Sequence, residues 1–189
     1  MIWLIAGLVV FLGIHSVRMV VPEFRNRQIL SGGENRWKVI YSIASIAGFI
    51  LLVWGYGKAW ENNTLLYSTP SWLSHVQLLL MIPAMILLIA SQLPAGRIKK
   101  TVKNPQLIAV KIWAIGHLLV NGDLASVLLF GAFLVWAVLL MINTNRRGLQ
   151  FPELTDTRGD VLSIIVGLVV WAAFVFFLHE WLIGVPVFA

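Results

Sequence analysis

Four histidines, His15, His75, His117 and His179, punctuate a chain that is 59% hydrophobic and only 12% charged. Neutral imidazole ligates zinc, copper, iron and nickel, and its proton exchanges near physiological pH. A polar ionisable group inside an apolar run is costly in a membrane and faces a bundle interior or a cavity. The bland alternative is a histidine satisfied by a nearby carbonyl or hydroxyl, acting as an interhelical hydrogen-bond partner. His117 stands out further, because "HLLVNGD", residues 117–123, sets three polar residues between two long apolar stretches.

The elements that carry these residues are readable from hydropathy. Apolar blocks recur at about the 17–25 residues needed to cross a bilayer as helix. Six spans are expected, at Ile2–Val21, Trp37–Gly57, Ser71–Leu93, Pro105–Val120, Asp123–Asn143 and Val161–Val185. A spanning chain must satisfy its own backbone groups, so each is read as helix. The expected fold is all-α, an integral membrane bundle of six transmembrane helices in one domain, 1–189. The N-terminal run lacks a basic flank and a small-residue cleavage site, so it reads as a retained first span. The fourth span is short for a ~30 Å hydrocarbon core.

Charge orients the bundle. The loops at 22–36, 94–104 and 144–160 share one side and hold nearly all the basic residues, whereas the other side holds only Lys58. Basic loops stay in the cytoplasm, which puts both termini on the periplasmic or outer side. The net charge of +6 is therefore an orientation signal, not a nucleic-acid footprint. The chain has no cysteine, which excludes disulfides and thiolate chemistry. No P-loop, GxSxG, HExxH or dinucleotide fingerprint occurs, which argues against hydrolase and phosphoryl-transfer chemistry.

Distance from a loop converts to depth at ~1.5 Å per residue. His117 and His75 each lie four residues from the outer ends of their spans, roughly 6 Å in, and His179 about 9 Å in. His15, near Arg18, lies at the opposite, cytoplasmic edge. Three imidazoles from three helices could hold a metal ion (His75, His117 and His179) or supply one or two axial ligands to a haem. Trp113, one turn before His117, could wall such a pocket or simply pack.

Asn121, Gly122 and Asp123 read as a tight outer turn between spans four and five. Gly122 suits a helix C-terminus and Asp123 the N-cap of the next helix. Lys111 reads as snorkelling or as a misplaced helix boundary. Pro83 should bend span three and free the carbonyl of Leu79. Ser42–Gly48 supplies small residues for close helix contact. Trp3, Trp60, Trp72 and Trp181 suit an outer aromatic belt and Trp37 an inner one.

The segment "WAIGHLLVNGDLASVLLFGAFLVWA" resembles the most characteristic stretch of the NnrU family of bacterial membrane proteins. "LGIHSVR", "RWKVIYSIASIAG", "SHVQLLLMIPAMIL" and "LHEWLIGVPV" resemble the family pattern in the same order, over nearly the whole chain. The family is associated with nitrite and nitric oxide reduction and is related to zeta-carotene isomerase, a haem b membrane enzyme. The resemblance implies an inner-membrane protein that binds haem b or handles a hydrophobic small molecule, as a redox protein or a cis–trans isomerase. It places His15, His75, His117 and His179 at family histidine positions and Asn121, Gly122 and Asp123 at its "NGD". Lys103-Asn104-Pro105 departs from its Arg-His-Pro; an asparagine is neither an ordinary haem ligand nor a proton shuttle, which puts isomerase chemistry in doubt. The alternative is an accessory membrane protein without catalysis, whose histidines bond between helices.

Overall fold

The structure is a computed structural model that describes residues 1–61, 63–148 and 156–187. These residues form α1 (Ile2–Val20), α2 (Pro22–Trp60), α3 (Leu73–Gln92), α4 (Arg97–Val102), α5 (Pro105–Leu118), α6 (Leu124–Arg146) and α7 (Arg158–Ile183). Among the described residues there is no strand, only an isolated antiparallel bridge between Leu65 and Asp123. α1, α2, α3, α6 and α7 are long and apolar enough to cross a membrane.

Several boundaries differ from the sequence expectation. The segment expected to be the fourth span, Pro105–Val120, forms α5, with 14 residues. At 1.5 Å per residue that is about 21 Å, short of a bilayer core on its own. The expected loop 22–36 is largely helical: α2 starts at Pro22 and breaks at Gly33, whose φ of 80° and ψ of 160° suit glycine. The expected loop 94–104 contains α4. In the expected loop 144–160, residues 149–155 lie outside the described residues. Trp37 is buried, with rings of Phe24 and Tyr41 6.3 and 6.5 Å away, so it is a packing residue, not part of an interfacial belt.

The described residues gather into two compact units. The first comprises Met1–Leu66 and Asp123–Ala132. In it α1 and α2 run backbone to backbone. A Cβ at Gly55 would fall 2.5 Å from the backbone of Trp3 and Leu4, and one at Gly48 2.9 Å from Phe11 N. Small residues permit this approach where no hydrophobic force drives two helices together in lipid. The start of α6 is tied to α2 by the Tyr56 hydroxyl, 2.8 Å from that of the fully buried Ser126.

The second unit comprises Tyr67–Gly122 and Phe133–Ala189. Here α3 packs on both α5 and α7. α3 remains helical through Pro83. The indole N–H of Trp171 on α7 donates to the carbonyl of Leu78 at 3.2 Å, next to the carbonyl that a proline at 83 leaves without its amide. Lys111 extends its ammonium to the sulfur of Met141 on α6, 3.0 Å away. Trp113 meets Phe133 edge-on, eight residues earlier on α6. Lys111 therefore reaches toward the end of α5 opposite His117, as a snorkelling lysine does.

Candidate functional site

His117 sits in the last turn of α5 and is half-buried. Its Nδ1 lies 2.9 Å from the carbonyl oxygen of Trp113, one turn back. A carbonyl only accepts, so this bond places the ring proton on Nδ1 and the lone pair on Nε2. The Trp113 ring lies beside the imidazole with centroids 5.4 Å apart, and Phe133 closes against the indole at 5.3 Å. The imidazole thus stands in an aromatic wall with a defined tautomer.

The end of α5 is held from the connection that precedes α3. The Tyr67 hydroxyl donates to the carbonyl of Leu118 and lies 3.2 Å from that of Asn121. The Tyr67 amide donates to the carbonyl of Gly122 at 3.1 Å. A Cβ at Gly122 would collide with the Tyr67 carbonyl. Its φ is not in the left-handed region, so glycine serves close approach here and not the helix C-cap expected from sequence.

Within the first unit, Asp123 caps α6. Its Oδ1 accepts from the Ser126 amide at 2.8 Å and from the Asn63 side-chain amide at 2.6 Å. Asn63 Oδ1 in turn accepts from the amides of Thr64 and Ala125 at 3.1 Å. Burial alone would raise the Asp123 carboxyl, but the hydrogen bonds from Ser126 and Asn63 outweigh it and hold it below the ordinary carboxylate value.

His179 follows a π-helical turn, Phe174–Leu178, inside α7. π-turns insert a residue into the helical register and recur at functional sites. The His179 Nδ1 lies 2.7 Å from the carbonyl of Val185, which folds back after left-handed Gly184. The same tautomer results, with the lone pair on Nε2. A Cβ at Gly167 would meet Ile86 and one at Gly159 would meet Pro94, while Trp171 reaches Leu78. Rising numbers on α7 therefore match falling numbers on α3, and His179 falls level with the start of α3. Gly116 meets Met81 and Gln77, which sets His117 near the second turn of α3. The two rings share one end of this unit, offset along it by roughly 9 Å.

His75 does not join them. Gln77 faces α5, and two residues along an α-helix are about 200° apart, so His75 turns off that face and is exposed. Among the described residues, no three of His, Cys, Asp and Glu gather closely enough to hold a metal ion. The three-histidine metal site expected from His75, His117 and His179 is thus not formed. His15 belongs to the other unit. It repeats the His117 device: its Nδ1 is 2.7 Å from the Phe11 carbonyl, with the Phe11 ring at 4.3 Å and the Tyr41 ring at 5.2 Å. Asn104 stands at the N-cap of α5 after Lys103, which has a φ of 64°.

Sequence reasoning missed Tyr67 and Asn63. They are separated by 51 and 60 residues from the groups they hold, and no spacing rule links a connecting segment to a turn that distant. The clue was the polar composition of 61–72 facing an equally polar turn. No curated protein and no solved structure matches this chain. The family model described as NnrU protein matches residues 3–187, nearly all of the chain. With five helices long and apolar enough to cross a membrane among its described residues, this is a membrane-type protein that belongs to the NnrU family.

Proposed function

We propose that this chain is an inner-membrane haem b protein in which His117, through Nε2, would be the first residue to hold the group and His179 the second. The observation that carries the reading is the Trp113 carbonyl on His117 Nδ1. A ligating histidine characteristically donates its other ring N–H to a carbonyl or carboxylate, which fixes the tautomer and raises the basicity of the ligand nitrogen. The donor set suits a haem better than a bare metal ion, since His117 and His179 lie toward one end of the unit while His75 is turned off the α5 face. Trp113 and Phe133 supply apolar walls, and Tyr67 holds the end of α5 that aims His117. When bound, haem b would supply a redox-active iron.

The family's link to nitrogen-oxide reduction favours an electron-transfer or nitrogen-oxide-linked role. Asn104, where the resemblance expects histidine, weighs against polyene isomerisation. In this reading α5 is the short fourth span, six helices cross the membrane, the basic loops are cytoplasmic and both termini lie outside. Local thinning and long basic side chains accommodate a short span.

The test is an absorption spectrum of the purified chain, produced with haem available. A Soret band in the wild type that is lost in His117→Ala supports the reading. Colourless wild-type protein overturns it in favour of the accessory, non-catalytic role.

A further inference from the structure

We propose that α4 is a docking site for the phosphodiester headgroup of an anionic membrane lipid, a feature independent of the haem reading. Six residues, RIKKTV, do not sustain a helix alone. Two devices hold this one. Asp160, in the first turn of α7, accepts from the amides of Arg97 and Ile98 at 2.8 and 3.0 Å, one on each carboxylate oxygen. Gly96 leaves the room that carboxylate occupies, for a Cβ there would overlap it. From the other side, Lys99 Nζ donates to the carbonyls of Ser91 and Leu93, at 2.9 and 3.0 Å, in the last turn and at the C-cap of α3.

These contacts commit the Asp160 carboxylate and the Lys99 ammonium to backbone groups, and Asp156, whose amide meets the Ala95 carbonyl, pairs with Arg158. The amide end of α4 is already filled, so an incoming anion meets side chains. Ile98 and Val102 turn partly inward, while Arg97, Lys100, Thr101 and Lys103 are exposed. Arg97 and Lys100 form no ion pair among the described residues. No acidic residue occurs between Ser91 and Asn104. The helix follows directly on α3, a candidate span, so its cations stand where hydrocarbon gives way to headgroups. A rigid, exposed pair of cations without a salt bridge among the described residues matches, at that level, a lipid phosphate, which anionic leaflets present at high density. A soluble phosphate would have to compete with that surface.

The experiment titrates the full chain in detergent with short-chain phosphatidylglycerol, phosphatidylcholine or inorganic phosphate and follows the thermal unfolding midpoint. Phosphatidylglycerol should raise the midpoint; the other two should not. R97Q/K100Q should need roughly thirtyfold more phosphatidylglycerol for the same rise, at the usual contribution of a basic residue near an anionic surface. R25Q/R27Q, which removes equal charge elsewhere, should respond as wild type. The proposal is overturned if R97Q/K100Q responds as wild type, if R25Q/R27Q loses as much, or if inorganic phosphate reproduces the effect. Should the double variant not fold, R97Q and K100Q singly read the same titration.

Discussion

The Nδ1 of His117 lies 2.9 Å from the carbonyl oxygen of Trp113, one helical turn back. This one bond decides the tautomer of the candidate ligand. Its partner is backbone, so no substitution of the Trp113 side chain removes the acceptor. Trp113→Leu should therefore keep pigment while shifting its spectrum through the changed wall. His117→Ala should lower bound haem more than tenfold, the scale on which ligand and outer-shell changes act on metal sites. His75→Ala should stay within about twofold of wild type, because that ring is turned off the α5 face. Pigment stoichiometry per chain checks all three, and equal losses at residues 75 and 117 would refute the assignment.

The π-turn before His179 offers a separate test. His179→Ala removes the imidazole that follows this turn and leaves the turn in place. The expected result is retained pigment with loss of six-coordinate, low-spin character, read by absorption or electron paramagnetic resonance. An unchanged spin state would remove His179 from the site.

Tyr67 ties the end of α5 through its hydroxyl. Tyr67→Phe keeps the ring and should lower thermal stability by about 1 kcal/mol, the net value of a hydrogen bond. Gly122→Ala pushes a methyl into the Tyr67 carbonyl and should cost about 1–3 kcal/mol. Gly13→Ala, inside α1 with nothing within 4 Å, serves as the unclashed control and should match or exceed wild type. Similar midpoints for the two alanine variants would contradict the packing at 122.

Asp123 predicts a pH dependence. Its folded carboxyl is held below its ordinary value by Ser126 and Asn63. The stabilisation is present above the unfolded pKa and lost as pH falls through the folded one. Wild-type stability should therefore decline on acidification. Asp123→Asn should be less stable at neutral pH by about 1 kcal/mol, the usual worth of an N-cap, with a flatter acid limb. Parallel acid limbs in the two proteins would show that other carboxylates govern the transition.

Much of the architecture was legible because a bilayer reduces the choices. Apolar runs of spanning length must be helices, and five of the six expected spans correspond to helices long and apolar enough to cross. The run at 105–120 was ambiguous for the same reason: length alone does not say whether a 14-residue helix spans. The helical content of 22–32 and of α4 was hidden, since each helix rests on a remote contact or break, Asp160 for one and Gly33 for the other. Spacing placed three histidines at one depth. It could not supply the angle of each about its helix, so depth alone groups His75 with His117 although Gln77, two residues on, takes the face toward α5.

By itself, then, the order of residues determined an all-helical chain of membrane type and its NnrU membership, because hydropathy and short polar motifs are local properties of the string. Only the tertiary structure decided which histidine turns aside, and that Tyr67 and Asp160 reach across 51 and 63 residues to hold α5 and α4. Those contacts depend on helix rotation and on chain segments distant in sequence, and neither is written in any local window.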